Sequence, residues 1–205
     1  NYVGGDKDDS FTVSVENFGK VSLIDGGDGT DKLTINGEKN NTEISLNKTT
    51  GIENFEITAS KDSIGNTINI DDWEYLNSNK DVISITLKEN SIKGSKESIG
   101  NLQNITGDGN TSVILTNNIS DKNVSDINGN TGNKDENYDF VKNLSNISDI
   151  YLAKGHNYVD VNKIVEINPN IYTDKYWNIN SENNSEANYF KVSLKNLHEN
   201  KINLY

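Results

Sequence analysis

The sequence predicts an all-β chain arranged as a parallel β-helix, a β-solenoid of short coils with insertions; a β-sandwich built from the same strands is the alternative. Three observations predict it. Only 32% of the 205 residues are hydrophobic, too few for a thick two-layer core. The uncharged polar positions are dominated by Asn, Ser and Thr, which favour turns and solvent-facing strand positions over helix interiors. A two-part apolar pattern also recurs along the chain in fixed order, which is how a repeat architecture announces itself.

The parts of that pattern, with φ an apolar residue, are a strand φ-x-x-φ-x-φ and a turn leading into an alternating strand, G-x-x-x-φ-x-φ. Lys7, Phe11 and Val13 open with the turn form, its glycine replaced. Phe18, Val21 and Leu23 give the first strand form, followed by the turn form at Gly29, Leu33 and Ile35. Ile52, Phe55 and Ile57 then precede a shortened turn form at Gly65, Ile68 and Ile70. The stretch around Asp72, Trp73 and Tyr75 reads as an insertion able to form a short helix. Leu102 and Ile105 form a weaker strand copy that runs into Gly107, ahead of Gly109, Val113 and Leu115. Ile147, Ile150 and Leu152, then Gly155, Val159 and Val161, complete the series.

Alternating strands bury one face. No single unit can cover its own, so stacked neighbours must do it. The turn positions 7, 29, 65, 109 and 155 lie 22, 36, 44 and 46 residues apart, one coil and then coils carrying insertions. Residues 1–165 are therefore read as solenoid repeats with Gly/Asp-rich turns. Residues 166–205 hold the sole proline, Pro169, with Tyr172, Tyr176, Trp177, Tyr189 and Phe190. They read as an aromatic-rich cap or closing hairpin, with a ligand-stacking platform as the functional alternative.

The net charge is −12, from 19 basic and 31 acidic side chains, and every basic residue is Lys. Without Arg for bidentate phosphate contacts, and with an acidic surface that repels polyanions, nucleic acid is not an expected partner. A pI near 4.6 instead describes a surface that concentrates cations. The absence of Cys removes disulfides, thiolate metal sites and cysteine nucleophiles. There is no 18-residue apolar run, so no membrane insertion is expected. The chain opens at Asn1 without Met and is read as part of a longer polypeptide.

The most specific local signal is GGDGTDKLT, Gly26 to Thr34, which fits the nonapeptide G-G-x-G-x-D-x-U-x, U being a large apolar residue, at every defined position. Glycines let backbone carbonyls turn toward a cation. Aspartate supplies a hard anionic oxygen, of the kind Ca²⁺ collects six to eight at a time. A near copy, GGDKDDSFT from Gly4 to Thr12, sets Asp9 where Asp31 stands and Phe11 where Leu33 stands. A degraded copy, TGDGNTSVI from Thr106 to Ile114, has Thr111 in place of the aspartate, and should keep its shape while losing metal affinity.

On these motifs the chain resembles the RTX-type calcium-binding repeat proteins of the type I secreted bacterial S-layer and large adhesin group. Gly51, Ile52, Glu53, Phe55 and Ile57 match the G-[IV]-E-x-φ-x-φ segments of that group, and Asn146 to Asn162 looks like one of its two-strand units. The resemblance implies calcium as the bound ion, held between successive turns and driving folding after export. It implies Asp9 and Asp31 as ligands, with Asp6, Asp8, Asp25 and Asp28 as further candidates. It implies a secreted, cell-surface location, with self-association or other cell-surface components as partners.

No active site is expected. His156 and His198 belong to no HExxH helix, and there is no GxSxG elbow. A secreted polysaccharide lyase or hydrolase among the carboxylates is the least favoured reading, since such sites add cationic groups. The expected function is a calcium-stabilised structural segment of an S-layer-like protein. An adhesin using Trp177 and the tyrosines between 172 and 189 to bind glycan or protein is the alternative.

Overall fold

The computed structural model describes residues 1–37, 42–58, 65–71, 73–119, 136–154, 157–160, 164, 169–173, 188–191 and 203–204. In chain order the elements are β1 (Tyr2–Val3), β2 (Ser10–Ser14), α1 (Val15–Lys20), β3 (Ile24–Asp25), β4 (Lys32–Asn36), β5 (Glu43–Ser45) and β6 (Thr49–Thr50). Then come β7 (Asn54–Thr58), β8 (Thr67–Asn69), α2 (Glu74–Ser78), β9 (Ser84–Lys88), β10 (Ser91–Gly94), α3 (Lys96–Gly100) and β11 (Asn104–Leu115). A 3-10 segment, Glu136–Asn143, precedes β12 (Leu144–Leu152), β13 (Asn157–Asp160), β14 (Asn170–Thr173), β15 (Asn188–Lys191) and β16 (Asn203–Leu204).

The chain is all-β in class, and every strand pairing among the described residues is parallel. A β-sandwich is assembled mainly from antiparallel pairs, so these registers do not fit that alternative. The main sheet runs β2-β4-β7-β9-β11-β12-β14-β16 and is curled. Strand β11 makes the bend: Asn104–Thr106 pair with β9, while Ser112–Leu115 pair with β10, which leads on to β8 and β5. Strand β12 follows β11 round the bend, with register shifts either side of Thr111.

The register defines tiers. Ser10, Lys32 and Asn54 stand side by side at 22-residue steps, and Glu43, Thr67 and Ser91 at 24-residue steps. The step from Asn54 to Ser84 is longer because α2 lies within it. In the described part of 166–205, β14 and β16 lengthen the main sheet and β15 pairs with β13, all in parallel. No pair among these strands forms the closing hairpin expected there.

Alternation then stacks like on like. Phe11, Leu33, Phe55, Ile85, Ile105 and Leu144 form one column through the interior. Ile44, Ile68, Ile92, Val113, Ile150 and Ile171 form a second one. All but Phe11 are buried. Each buried aliphatic residue contributes about 1.5–3 kcal/mol by leaving water, and each tier covers the face its neighbour cannot. Replacing the fully buried Ile57 with alanine should cost about 2–5 kcal/mol in denaturant unfolding, because packed neighbours on both sides prevent collapse onto the cavity.

Two expectations change. Phe18 sits in α1, not in a strand: the Ser14 side chain accepts from the Asn17 N–H and caps the helix, and Val15 and Phe18 bury its inner face. The turn series also mixes two different bends. Lys7 and Gly29 lead into β2 and β4, whereas Gly65 and Gly109 lead toward β8 and the second half of β11. The uneven 36-residue interval is thus a change of bend. The helix foreseen around Trp73 is α2. Trp73 is buried, donates from Nε1 to the Thr49 carbonyl at 3.1 Å, and meets the Phe55 ring edge-on at 5.2 Å.

Candidate metal centre

The first bend holds three superposed corners. Val3, Asp25 and Thr50 are in register on entry, and Ser10, Lys32 and Asn54 on exit. Between them lie Gly4 to Asp9, Gly26 to Asp31, and a shorter Gly51-Ile52-Glu53. The two nonapeptides that sequence places 22 residues apart are therefore stacked neighbours. The third corner replaces their aspartate with Glu53.

Glycine is required here by close approach. A Cβ on Gly26 would stand 1.8 Å from the Gly51 carbonyl oxygen, and one on Gly4 would stand 1.9 Å from that of Gly26. Gly27 and Gly29 also have φ of 92° and 129°, where side chains are strained.

Hydrogen bonds tie one corner to the next. The Asp9 N–H donates to Asp31 Oδ1 at 2.6 Å, and the Asp31 N–H donates to Glu53 Oε2 at 2.8 Å. The Thr30 N–H donates to Asp8 Oδ1, and the Asp28 N–H donates to the Gly5 carbonyl. Asp9 Oδ2 accepts from the Gly5 N–H, and Asp25 Oδ1 from the Gly27 N–H. Glu53 Oε1 accepts from the Tyr75 hydroxyl at 2.9 Å.

Asp31 differs from the rest. It is fully buried, Oδ1 is engaged by Asp9, and Oδ2 has no hydrogen-bond partner among the described residues. A Cβ on Gly26 would lie 2.4 Å from that oxygen and 1.8 Å from the Gly51 carbonyl oxygen, so no side chain at that position could reach in as a donor. A buried anionic oxygen lacking a donor is costly unless a proton or a cation answers it. The donor set is hard oxygen throughout, which suits Ca²⁺.

Of the six aspartates expected as ligands, Asp9 and Asp31 are brought together. Asp25 lies at the same corner and is half-buried, its Oδ1 3.1 Å from the point where a Gly51 Cβ would stand. Asp6, Asp8 and Asp28 are exposed. Among the described residues no group of three or more acidic or histidine side chains is placed to hold a metal ion. Sequence reasoning missed Glu53 and Tyr75 as members of the site. The signal was present for Glu53, which stands 22 residues after Asp31 as Asp31 stands 22 after Asp9. For Tyr75, delivered from the first turn of α2, there was none.

Burial, the hydrogen bond to Glu53, and the charges of Glu53 and Asp31 push the Tyr75 hydroxyl up to about 12. The neutral phenol is favoured by the fold, so its contribution is complete below the ordinary tyrosine value near 10 and fades as pH rises toward 12. Ultraviolet titration should show a late-ionising tyrosine that disappears in Tyr75→Phe.

The second bend repeats the arrangement with neutral groups. The Thr42 N–H donates to Asn66 Oδ1 and the Asn66 N–H to Asn90 Oδ1, while Asn90 Nδ2 donates to the Ile57 and Lys88 carbonyls. The degraded nonapeptide sits at this bend. There Asp108 accepts from the Glu89 and Asn110 N–H groups and from the Thr111 hydroxyl, so both its oxygens are engaged by the protein.

Tyr151 and Tyr172 stack on the outer face at 4.8 Å. Asp72, Gly155, His156, Tyr176, Trp177 and His198 lie outside the described residues. No helix among the described residues is long and apolar enough to cross a membrane. No family model, curated protein or solved structure matches this chain.

Proposed function

We propose that this chain is a calcium-stabilised structural segment of a secreted bacterial cell-surface protein, S-layer-like in role and solenoidal in architecture. The observation that carries the reading is Asp31, fully buried between two stacked glycine corners with a carboxylate oxygen that has no partner among the described residues. Asp31 and the backbone oxygens of the Gly26 and Gly51 corners would hold the ion, with Asp9, Asp25 and Glu53 closing round it. Calcium would supply the positive charge that the corner lacks. The tiers supply the scaffold, a stack in which one ion pins neighbours together. The surface location and type I export rest on the likeness of the Gly/Asp nonapeptides and the Gly51 to Ile57 segment to that group, and the acidic surface agrees with a calcium-rich exterior.

The test is isothermal titration with Ca²⁺, paired with a calorimetric melt in calcium and in chelator. A ligand at one hundred times its Kd stabilises by about 2.7 kcal/mol. At roughly 2–4 °C per kcal/mol for a chain of this size, the melt should rise by about 5–10 °C. No binding heat together with superimposable melts would remove calcium from the reading.

A further inference from the structure

The last carboxylate of the corner ladder is engaged differently from the one before it. Asp31 takes the Asp9 N–H and Glu53 takes the Asp31 N–H, each from the preceding tier. The other oxygen of Glu53 accepts from the Tyr75 hydroxyl at 2.9 Å, and Tyr75 belongs to α2. One Glu53 carboxylate thus joins the backbone of Asp31 to a phenol carried by an inserted helix.

Helix α2 is seated on that same third corner. Its five residues are too few for a helix that stands alone, and its N-cap, Trp73, makes no side-chain cap hydrogen bond. Contacts before, within and after the corner hold it. Trp73 Nε1 donates to the carbonyl of Thr49 in β6, which leads into the corner. Tyr75 bonds Glu53 within it. The Trp73 ring meets that of Phe55 in β7, which leads out of it. The Trp73 and Tyr75 rings lie 6.4 Å apart, so the two anchors also face each other. Leu76 is fully buried behind them.

A carboxylate on a freely turning stem loses rotamer entropy when an ion arrives, and a partner that fixes it in advance removes that cost. An ionised carboxylate has about four lone-pair sites, so Glu53 can keep both donors and still offer oxygen to a cation. We propose that seated α2 sets the calcium affinity of the Asp31 corner, with Tyr75 as the positioning residue that holds Glu53 toward the ion. The proposal rests on the calcium reading above and adds regulation to it. Whatever loosens α2 weakens calcium, and by reciprocity loss of calcium loosens α2 by the same factor. The insertion that lengthens the step from Asn54 to Ser84 is then the element through which the state of the corner is passed on.

The test is a double-mutant cycle of Ca²⁺ affinities, by isothermal titration of the full chain with Tyr75→Phe, Glu53→Gln and the two combined. Tyr75→Phe keeps the ring and deletes the hydroxyl, and should weaken calcium about 10–100-fold, the range for loss of an outer partner. In Glu53→Gln the single amide oxygen is needed by the Asp31 N–H, so Tyr75 has no carboxylate left to hold. Adding Tyr75→Phe there should cost less than about twofold. A hydroxyl that merely supported the fold would weaken both backgrounds equally. A second measurement needs no variant. Well below the melt, where local opening governs exchange, the Trp73 indole N–H should exchange about 10–100-fold more slowly in calcium than in chelator. Should Tyr75→Phe fail to fold, that exchange decides alone. Unchanged affinity in Tyr75→Phe, equal losses in the two backgrounds, or indole exchange indifferent to bound calcium each overturns the coupling and leaves the ion in place. No calcium heat from the unmodified chain removes the ion, and the coupling with it.

Discussion

Gly26→Ala is expected to abolish the cooperative melt of the native chain or lower it by at least about 8–16 °C, measured by circular dichroism. A methyl group there falls 1.8 Å from the Gly51 carbonyl oxygen and 2.4 Å from Asp31 Oδ2. The Gly51 carbonyl belongs to the next tier's backbone, so relief would mean pulling β3 from β6 and breaking the bond from the Gly26 N–H to the Thr50 carbonyl. Backbone displacement of that kind belongs to the rare class of substitutions costing more than about 4 kcal/mol. Gly5→Ala, where the nearest atom beyond its neighbours is 3.9 Å away, should change the melt little and serves as the control.

Asp31→Asn should reverse its effect with the medium. In chelator the variant should melt several degrees above the unmodified chain. Its amide oxygen can still accept from the Asp9 N–H, its buried charge is gone, and its amide N–H finds the Gly51 carbonyl nearby. In calcium it should melt below the unmodified chain, because the anionic oxygen that recruits the ion is missing. A variant less stable in both media would mean that the carboxylate serves the fold without an ion. A variant with an unchanged calcium shift would place the ion elsewhere.

How much of this was legible in the sequence depends on the range of each signal. The corner at Gly26 to Thr34 was fully legible, because its glycines, aspartate and apolar exit residue are set by local sterics within nine residues. The 22-residue spacing of Asp9 and Asp31 matched the length of one coil, and only the strand registers place the two on neighbouring tiers. Helices α1 and α3 were not, since five or six residues bury only Val15 and Phe18, or Ile99, and show no helical period. Their capping serines, Ser14 and Ser95, were the available signal. The two bends were conflated because Gly65 and Gly109 carry the same short-range pattern as Gly29, and only strand registers tell which column each one enters. The asparagine ladder through Asn66 and Asn90 was hidden in a composition already rich in Asn.

The parallel register has a mechanical corollary. Each strand bonds to the tier one step along the chain, so tension applied to the two ends loads one seam at a time and leaves the others unstressed. A chain pulled from its ends should yield in successive small events, each freeing about 70–80 Å of contour for a 22-residue tier at roughly 3.4 Å per residue. Such a molecule gives way gradually under load and can re-form from whichever seam still holds.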